Sequence, residues 1–142
     1  MSLRPDRKST LILGVDDNAM GLKVLRATLE AAGFSFVGTE SGARCLELLW
    51  RIQPRIIILD VLMPELDGFE TCRRIRAQFP ELGAPILFLT ASNSADTLDA
   101  ALAAGGDDFI LKPFSPKMLL TRVENWSHKA RNGASKPAQV RA

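Results

Sequence analysis

Five short apolar runs, each followed by a helical pattern, set the strongest limit on how this chain can fold. The runs are TLILGV at 10–15, FSFVG at 34–38, RIIILD at 55–60, PILFLT at 85–90 and DFILK at 108–112. Their length and their content of Val, Ile, Phe and Thr suit buried strands. Between them apolar residues recur at helical spacing: Leu22, Leu25, Leu29 and Ala32 in the first interval, Phe69, Cys72, Ile75 and Phe79 in the third. Helices are expected over about 18–32, 41–50 and 115–131, with a third around 69–79 and a fourth ending near Ala104. Ser41 and Ser94 or Asn93 stand where helix caps belong, and Gly33 and Gly105 where helices stop. Such alternation predicts an α/β fold: one doubly wound five-stranded parallel sheet with helices on both faces. Right-handed crossovers favour the strand order 2-1-3-4-5. A ligand site is then expected at the carboxyl ends of the first and third strands, where the winding reverses.

A chain of 142 residues has room for one such domain. We expect a short tail over 1–8, the domain over 9–131 and a polar tail over 132–142, where Asn132, Gly133 and Pro137 interrupt the pattern. The ends are basic. Without them the 18 Lys and Arg fall to 11 and the 16 Asp and Glu to 15, so residues 9–128 carry a net charge of −4. That balance predicts solvated ends and no direct DNA binding by this chain. No apolar run approaches the roughly 20 residues of a membrane span. Cys45 and Cys72 both fall in expected helices and read as buried free thiols in a reducing compartment, so the chain is expected to be cytoplasmic. The only histidine, His128, reads as a surface residue of the last helix, and Trp50 and Trp126 as packing residues, with Trp126 a candidate for a dimer face.

Two expected strands end on acids. Asp16 and Asp17 follow the first, and Asp60 ends the third. The strand order brings the three carboxylates into one crevice, where they repel and raise one another's pKa. Asp17 or Asn18 could cap the first helix and Asp67 the third, but three acids at adjacent strand ends suit a hard divalent cation such as Mg²⁺. Thr90 ends the fourth strand with a hydroxyl beside the small Ala91, and Lys112 ends the fifth with an ammonium. A metal, a hydroxyl and a fixed cation around one carboxylate can bind a phosphoryl group, and a carboxylate can be the nucleophile that accepts it.

VDDN at 15–18, LDVLMPELDGFE at 59–70, LTAS at 89–92 and GGDDFILKPF at 105–114 together resemble the receiver domain of two-component response regulators, over about 9–130. The resemblance implies the flavodoxin-like receiver fold and a phosphorylation-activated signalling switch fed by a cognate histidine kinase. It implies Asp60 as phosphoacceptor, and Mg²⁺ held by Asp17, Asp60 and the backbone carbonyl of Leu62, with Asp16 acting through water. Lys112 would contact the phosphoryl oxygens. Thr90 would be the switch hydroxyl and Phe109 the switch aromatic, in a chain without tyrosine. The Lys112–Pro113 bond would be cis. Output would pass through the fourth helix, fifth strand and fifth helix to a downstream protein or output domain, from a monomer or a weak phosphorylation-dependent dimer. Positions two past the phosphoacceptor and two past the switch threonine, here Leu62 and Ser92, tune self-dephosphorylation in the family. An apolar Leu62 cannot orient a water, so modest hydrolysis is expected.

Other classes fit less well. A Mg²⁺-dependent aspartyl-phosphate phosphohydrolase would want a second acid two residues past the nucleophile, where Leu62 stands. A flavodoxin-like cofactor binder would want a Ser-, Thr- or Gly-rich phosphate loop after the first strand, where DDNAMG stands instead. A degenerate docking receiver would not keep Asp16, Asp17, Asp60, Thr90 and Lys112. The remaining alternative is a receiver fragment of a larger regulator or hybrid kinase.

Overall fold

Each of the five apolar runs becomes a strand, and all five pair in parallel. In the computed structural model, which describes residues 7–141 and side chains as far as Lys129, they are β1 (Leu11–Val15), β2 (Ser35–Thr39), β3 (Ile56–Asp60), β4 (Ile86–Thr90) and β5 (Asp108–Leu111). The sheet order is β2-β1-β3-β4-β5, as expected from the alternation. The helices are α1 (Ala19–Ala31), α2 (Gly42–Leu48), α3 (Gly68–Gln78), α4 (Ala95–Ala103) and α5 (Pro116–Arg141).

Strand side chains alternate between the two faces, and each face has its own core. Leu13, Val15, Ile57, Leu59, Ile86 and Phe88 pack with Cys45 of α2, Cys72 and Ile75 of α3, and Ala101 of α4. Ile12, Ile56, Ile58, Leu87, Leu89 and Ile110 pack with Leu25 and Leu29 of α1 and Leu119 and Val123 of α5. β3 is central and buried along its whole length. Burying one such Ile or Leu contributes about 1.5–3 kcal/mol, so this strand alone rivals the net stability of a small domain. Cys45 and Cys72 are buried free thiols, and burial pushes them up to about 12 and about 11.

The caps follow the sequence. Asn18, Ser41, Asp67 and Ser94 accept backbone N–H bonds at the starts of α1, α2, α3 and α4. Gly33 and Gly105 end α1 and α4 in the left-handed region, at φ 99° and 98°. Two boundaries differ from expectation. Residues 1–6 lie outside the described residues, but Arg7–Ser9 form a 3₁₀ turn, and Arg7 donates to the carbonyl of Ala32 and to Glu124. These contacts tie down a residue that the sequence placed in a tail. At the other end α5 continues to Arg141, through residues 132–141 of the segment expected as a polar tail. His128 is half-buried. No helix among the described residues is long and apolar enough to cross a membrane.

Candidate functional site

The pairing of β3 with both β1 and β4 brings three strand ends side by side. Asp60 is the last residue of β3, and Asp16 and Asp17 follow β1 directly. One carboxylate oxygen from each of the three lies within 4.8 Å of the others. Asp16 and Asp60 are buried, whereas Asp17 is exposed. Asp16 is held by its own turn: its N–H bonds Thr39 across the sheet, and its Oδ1 accepts the N–H of Asn18 at 3.0 Å.

The fifth strand delivers the cation. Lys112 follows β5, and its backbone N–H bonds the carbonyl of Thr90. Its Nζ donates to Asp60 Oδ1 at 2.6 Å. The Lys112–Pro113 peptide is cis, as the resemblance implied. Among the described residues this is the one ion pair made by the acid cluster, so three carboxylates face one ammonium. Burial pushes the Asp60 carboxyl above its ordinary range; the Lys112 hydrogen bond opposes that, and the charges of Asp16 and Asp17 add to it. The donor set is all oxygen and carries excess negative charge, which fits a hard divalent cation and neither a soft metal nor an anion alone.

Thr90 is buried at the end of β4, where its hydroxyl bonds its own loop. It donates to the carbonyl of Ser92 at 3.1 Å and accepts the N–H of Ser92 at 3.0 Å. Phe109 is half-buried against the core on the α3 and α4 side. Leu62 lies in the loop after β3 with its side chain 77% exposed.

The structure adds contacts that the sequence did not predict. A Cβ on Gly21 would stand 2.4 Å from Asp16 Oδ2, so a side chain there would displace that carboxylate. A Cβ on Gly68 would stand 2.3 Å from the carbonyl of Asp60, and the N–H of Gly68 bonds Val61 as the loop folds back on the strand end. Beyond Thr90 a run of hydroxyls, Ser92, Ser94 and Thr97, links the β4 loop to the cap of α4. The spacing of hydroxyl residues past Thr90 was the available signal for that ladder. A cavity of about 590 Å³ beside Trp50, Arg55 and Phe79 opens at the opposite end of the sheet and contains none of these groups.

A doubly wound α/β domain with an acidic cluster and one lysine at its switch point defines a narrow class of protein. Residues 12–124 match the family described as the response regulator receiver domain, and the chain belongs to that family. It is 42% identical over 112 residues to the response regulator MprA of Mycobacterium leprae, covering 79% of this chain and 48% of that protein. It is 35% identical over 114 residues to the probable transcriptional regulator ycf27 of Porphyridium aerugineum, covering 80% and 46%. The chain thus spans about half the length of the curated relatives it matches. Among solved structures, the chemotaxis protein CheY4 of Vibrio cholerae superposes with a TM-score of 0.78 at 30% identity, over 82% of this chain and 97% of that one. The receiver domain of a histidine kinase from Syntrophus aciditrophicus gives 0.79 at 32%, over 85% and 92%. Receiver domains are modules of two-component signalling that are switched by phosphorylation and work with histidine kinases. They act as signalling domains rather than catalysts.

Proposed function

We propose that this chain accepts a phosphoryl group from a cognate histidine kinase onto Asp60, with Mg²⁺, and so changes the face around Phe109. The observation that carries this reading is the cluster of Asp16, Asp17 and Asp60 around a single lysine bonded to Asp60. Asp17, Asp60 and the backbone carbonyl of Leu62 are the proposed ligands, with Asp16 acting through water. Bound there, Mg²⁺ would neutralise the acids and the incoming phosphoryl oxygens. A carboxylate oxygen of Asp60 then attacks phosphorus as the bond from phosphorus to the kinase's histidine nitrogen breaks, and Lys112 turns from the carboxylate to the new phosphoryl oxygens.

Phosphorylation adds roughly −1.5 to −2 charges and strong acceptor oxygens. To donate to those oxygens Thr90 must give up its bond to the carbonyl of Ser92, which loosens the hydroxyl ladder toward α4. Phe109 then moves from half-buried to buried, and the α4, β5 and α5 face carries the output to a downstream protein or output domain. The exposed, apolar Leu62 offers no group to orient a water, so intrinsic hydrolysis is modest.

The test is mass gain from a small phosphodonor such as acetyl phosphate with Mg²⁺. Wild type gains one phosphoryl group, and Asp60→Asn gains none. A wild type that gains none overturns the reading. A Thr90→Ala protein that keeps the full phosphorylation-dependent change in partner binding overturns the coupling to Phe109.

A further inference from the structure

β5 is an edge strand, and its free side is closed at one residue. Lys112 gives its backbone N–H to β4, so alternate residues, Phe109 and Leu111, turn their backbone groups outward. An open edge of this kind exposes unpaired donors and acceptors. At Phe109 both are taken by side chains. Its N–H donates to Asp108 Oδ1 at 2.8 Å, and its carbonyl accepts from Arg122 Nη1 at 2.9 Å. The same Arg122 nitrogen donates to Asp108 Oδ1 at 2.8 Å, and Trp126 Nε1 holds Asp108 Oδ2 at 2.8 Å. Lys129 lies over the Trp126 ring, 4.5 Å from its centre. Four groups on β5 and α5 therefore fix the main chain of the residue whose side chain is the proposed switch.

The other edge of the sheet is a natural control. Phe36 of β2 also turns its carbonyl outward, and Arg26 of α1 approaches it, but at 3.4 Å. Arg26 is paired with Glu30 in solvent, and no carboxylate on β2 anchors it. Blocking an edge against stray pairing needs no more than that. The denser arrangement at Phe109 points to a second purpose.

We propose that Arg122 is a positioning residue of the phosphorylation switch: anchored by Asp108, which Trp126 anchors in turn, it closes the free edge of β5 at Phe109 and biases the strand toward its resting arrangement. The proposal rests on the reading of Asp60 and Phe109 given above. A residue that favours the resting state opposes phosphorylation by the same factor. Loosening it raises the population that accepts the phosphoryl group, and the rate rises in proportion to that population.

The experiment measures amide exchange at Phe109 and the rate of mass gain with acetyl phosphate and Mg²⁺. Arg122→Gln should expose the Phe109 amide and speed phosphorylation about three- to tenfold. Trp126→Phe, which removes the indole donor and keeps an aromatic ring, should act in the same direction with a smaller effect. Arg122→Lys keeps the charge on a shorter side chain and should fall between Arg122→Gln and wild type. Arg26→Gln at the other edge should leave the rate unchanged. An Arg122→Gln protein that folds and phosphorylates at the wild-type rate overturns the latch, even if it melts earlier, because lost packing alone would not move the rate. If Arg122→Gln does not fold, a wild-type rate in Trp126→Phe and Arg122→Lys overturns it equally. A wild type that gains no mass overturns the underlying reading, and the latch with it; a reactive wild type with indifferent variants overturns the latch alone.

Discussion

Two pairs of adjacent aspartates stand at opposite ends of the same sheet, and their surroundings differ sharply. Asp107 and Asp108 lie where β5 begins. Asp107 Oδ2 accepts from Arg76 of α3 at 2.8 Å and from the N–H of Ile86 at 2.9 Å. Asp108 accepts from Arg122, from Trp126 and from the N–H of Phe109. One acid is tied to a helix on one face of the sheet and the next to a helix on the other. Asp16 and Asp17 follow β1 and, with Asp60, share a single ammonium. The lower pair is saturated by donors that the fold supplies, so its charge is spent on structure. The upper cluster lacks positive charge, so its charge is available to a cation and a phosphoryl group. An acidic pair is marked as a site by the partners that it lacks.

The largest effect should come from emptying the lower end. Arg76 also donates to the carbonyls of Gly105 and Ala84, each at 3.0 Å, so Arg76→Ala removes three hydrogen bonds. At about 1 kcal/mol for each hydrogen bond, urea denaturation should show a loss of about 3 kcal/mol. Arg76→Lys keeps the charge without the fork and should recover about half. A loss within experimental error would mean that the lower pair is no more structural than the upper.

Removing an acid from the upper cluster should do the reverse, weakening function and leaving stability nearly alone. Asp17 is exposed and makes no ion pair among the described residues. Asp17→Ala should weaken Mg²⁺ binding by at least about tenfold, read by titration calorimetry. At Mg²⁺ concentrations of about 100 Kd, wild type should gain about 2.7 kcal/mol of stability, and Asp17→Ala should gain much less under the same conditions. Unchanged affinity in Asp17→Ala would remove Asp17 from the ligand set.

The sequence distinguishes the two pairs by position alone. VDDN follows an apolar run and GGDDF precedes one, and parallel winding places ligand sites after strands. The strand order, the three-acid cluster and the placing of Lys112 in the same crevice all follow from that reasoning. The partners of the lower pair do not. Arg76 lies 31 residues before Asp107, and Arg122 and Trp126 lie 14 and 18 residues after Asp108. No local pattern links them, since their meeting depends on how α3 and α5 pack on opposite faces. The resting bonds of Thr90 were equally illegible, because its hydroxyl can serve the acids or its own loop. The length of α5 was misread because Gly133 and Pro137 weigh heavily as breakers in a local reading. Gly21 offered no signal, because its need for a missing Cβ comes from a carboxylate five residues back.

The smallest predicted effect is also the most direct comparison, because one substitution should change sign between the two ends. Burial and the charges of Asp16 and Asp17 raise the Asp60 carboxyl, against the pull of Lys112. The folded chain therefore holds that proton at a pH where the unfolded chain has released it. Stability from this source is complete below about pH 3.8, the ordinary value, and is lost as pH rises through the higher folded value. At neutral pH without cation, the ionised Asp60 costs stability. In EDTA at pH 7, Asp60→Asn should unfold at a higher urea concentration than wild type, and the difference should close as pH falls toward 3.8. Saturating Mg²⁺ should narrow the gap at pH 7 by stabilising wild type. At the lower end Asp108→Asn gives up charge-assisted bonds to Arg122 and Trp126 and should lose about 1 kcal/mol at pH 7. Two Asp→Asn changes of the same sign would show that both ends use their acids alike, and the distinction between spent and available charge would fall.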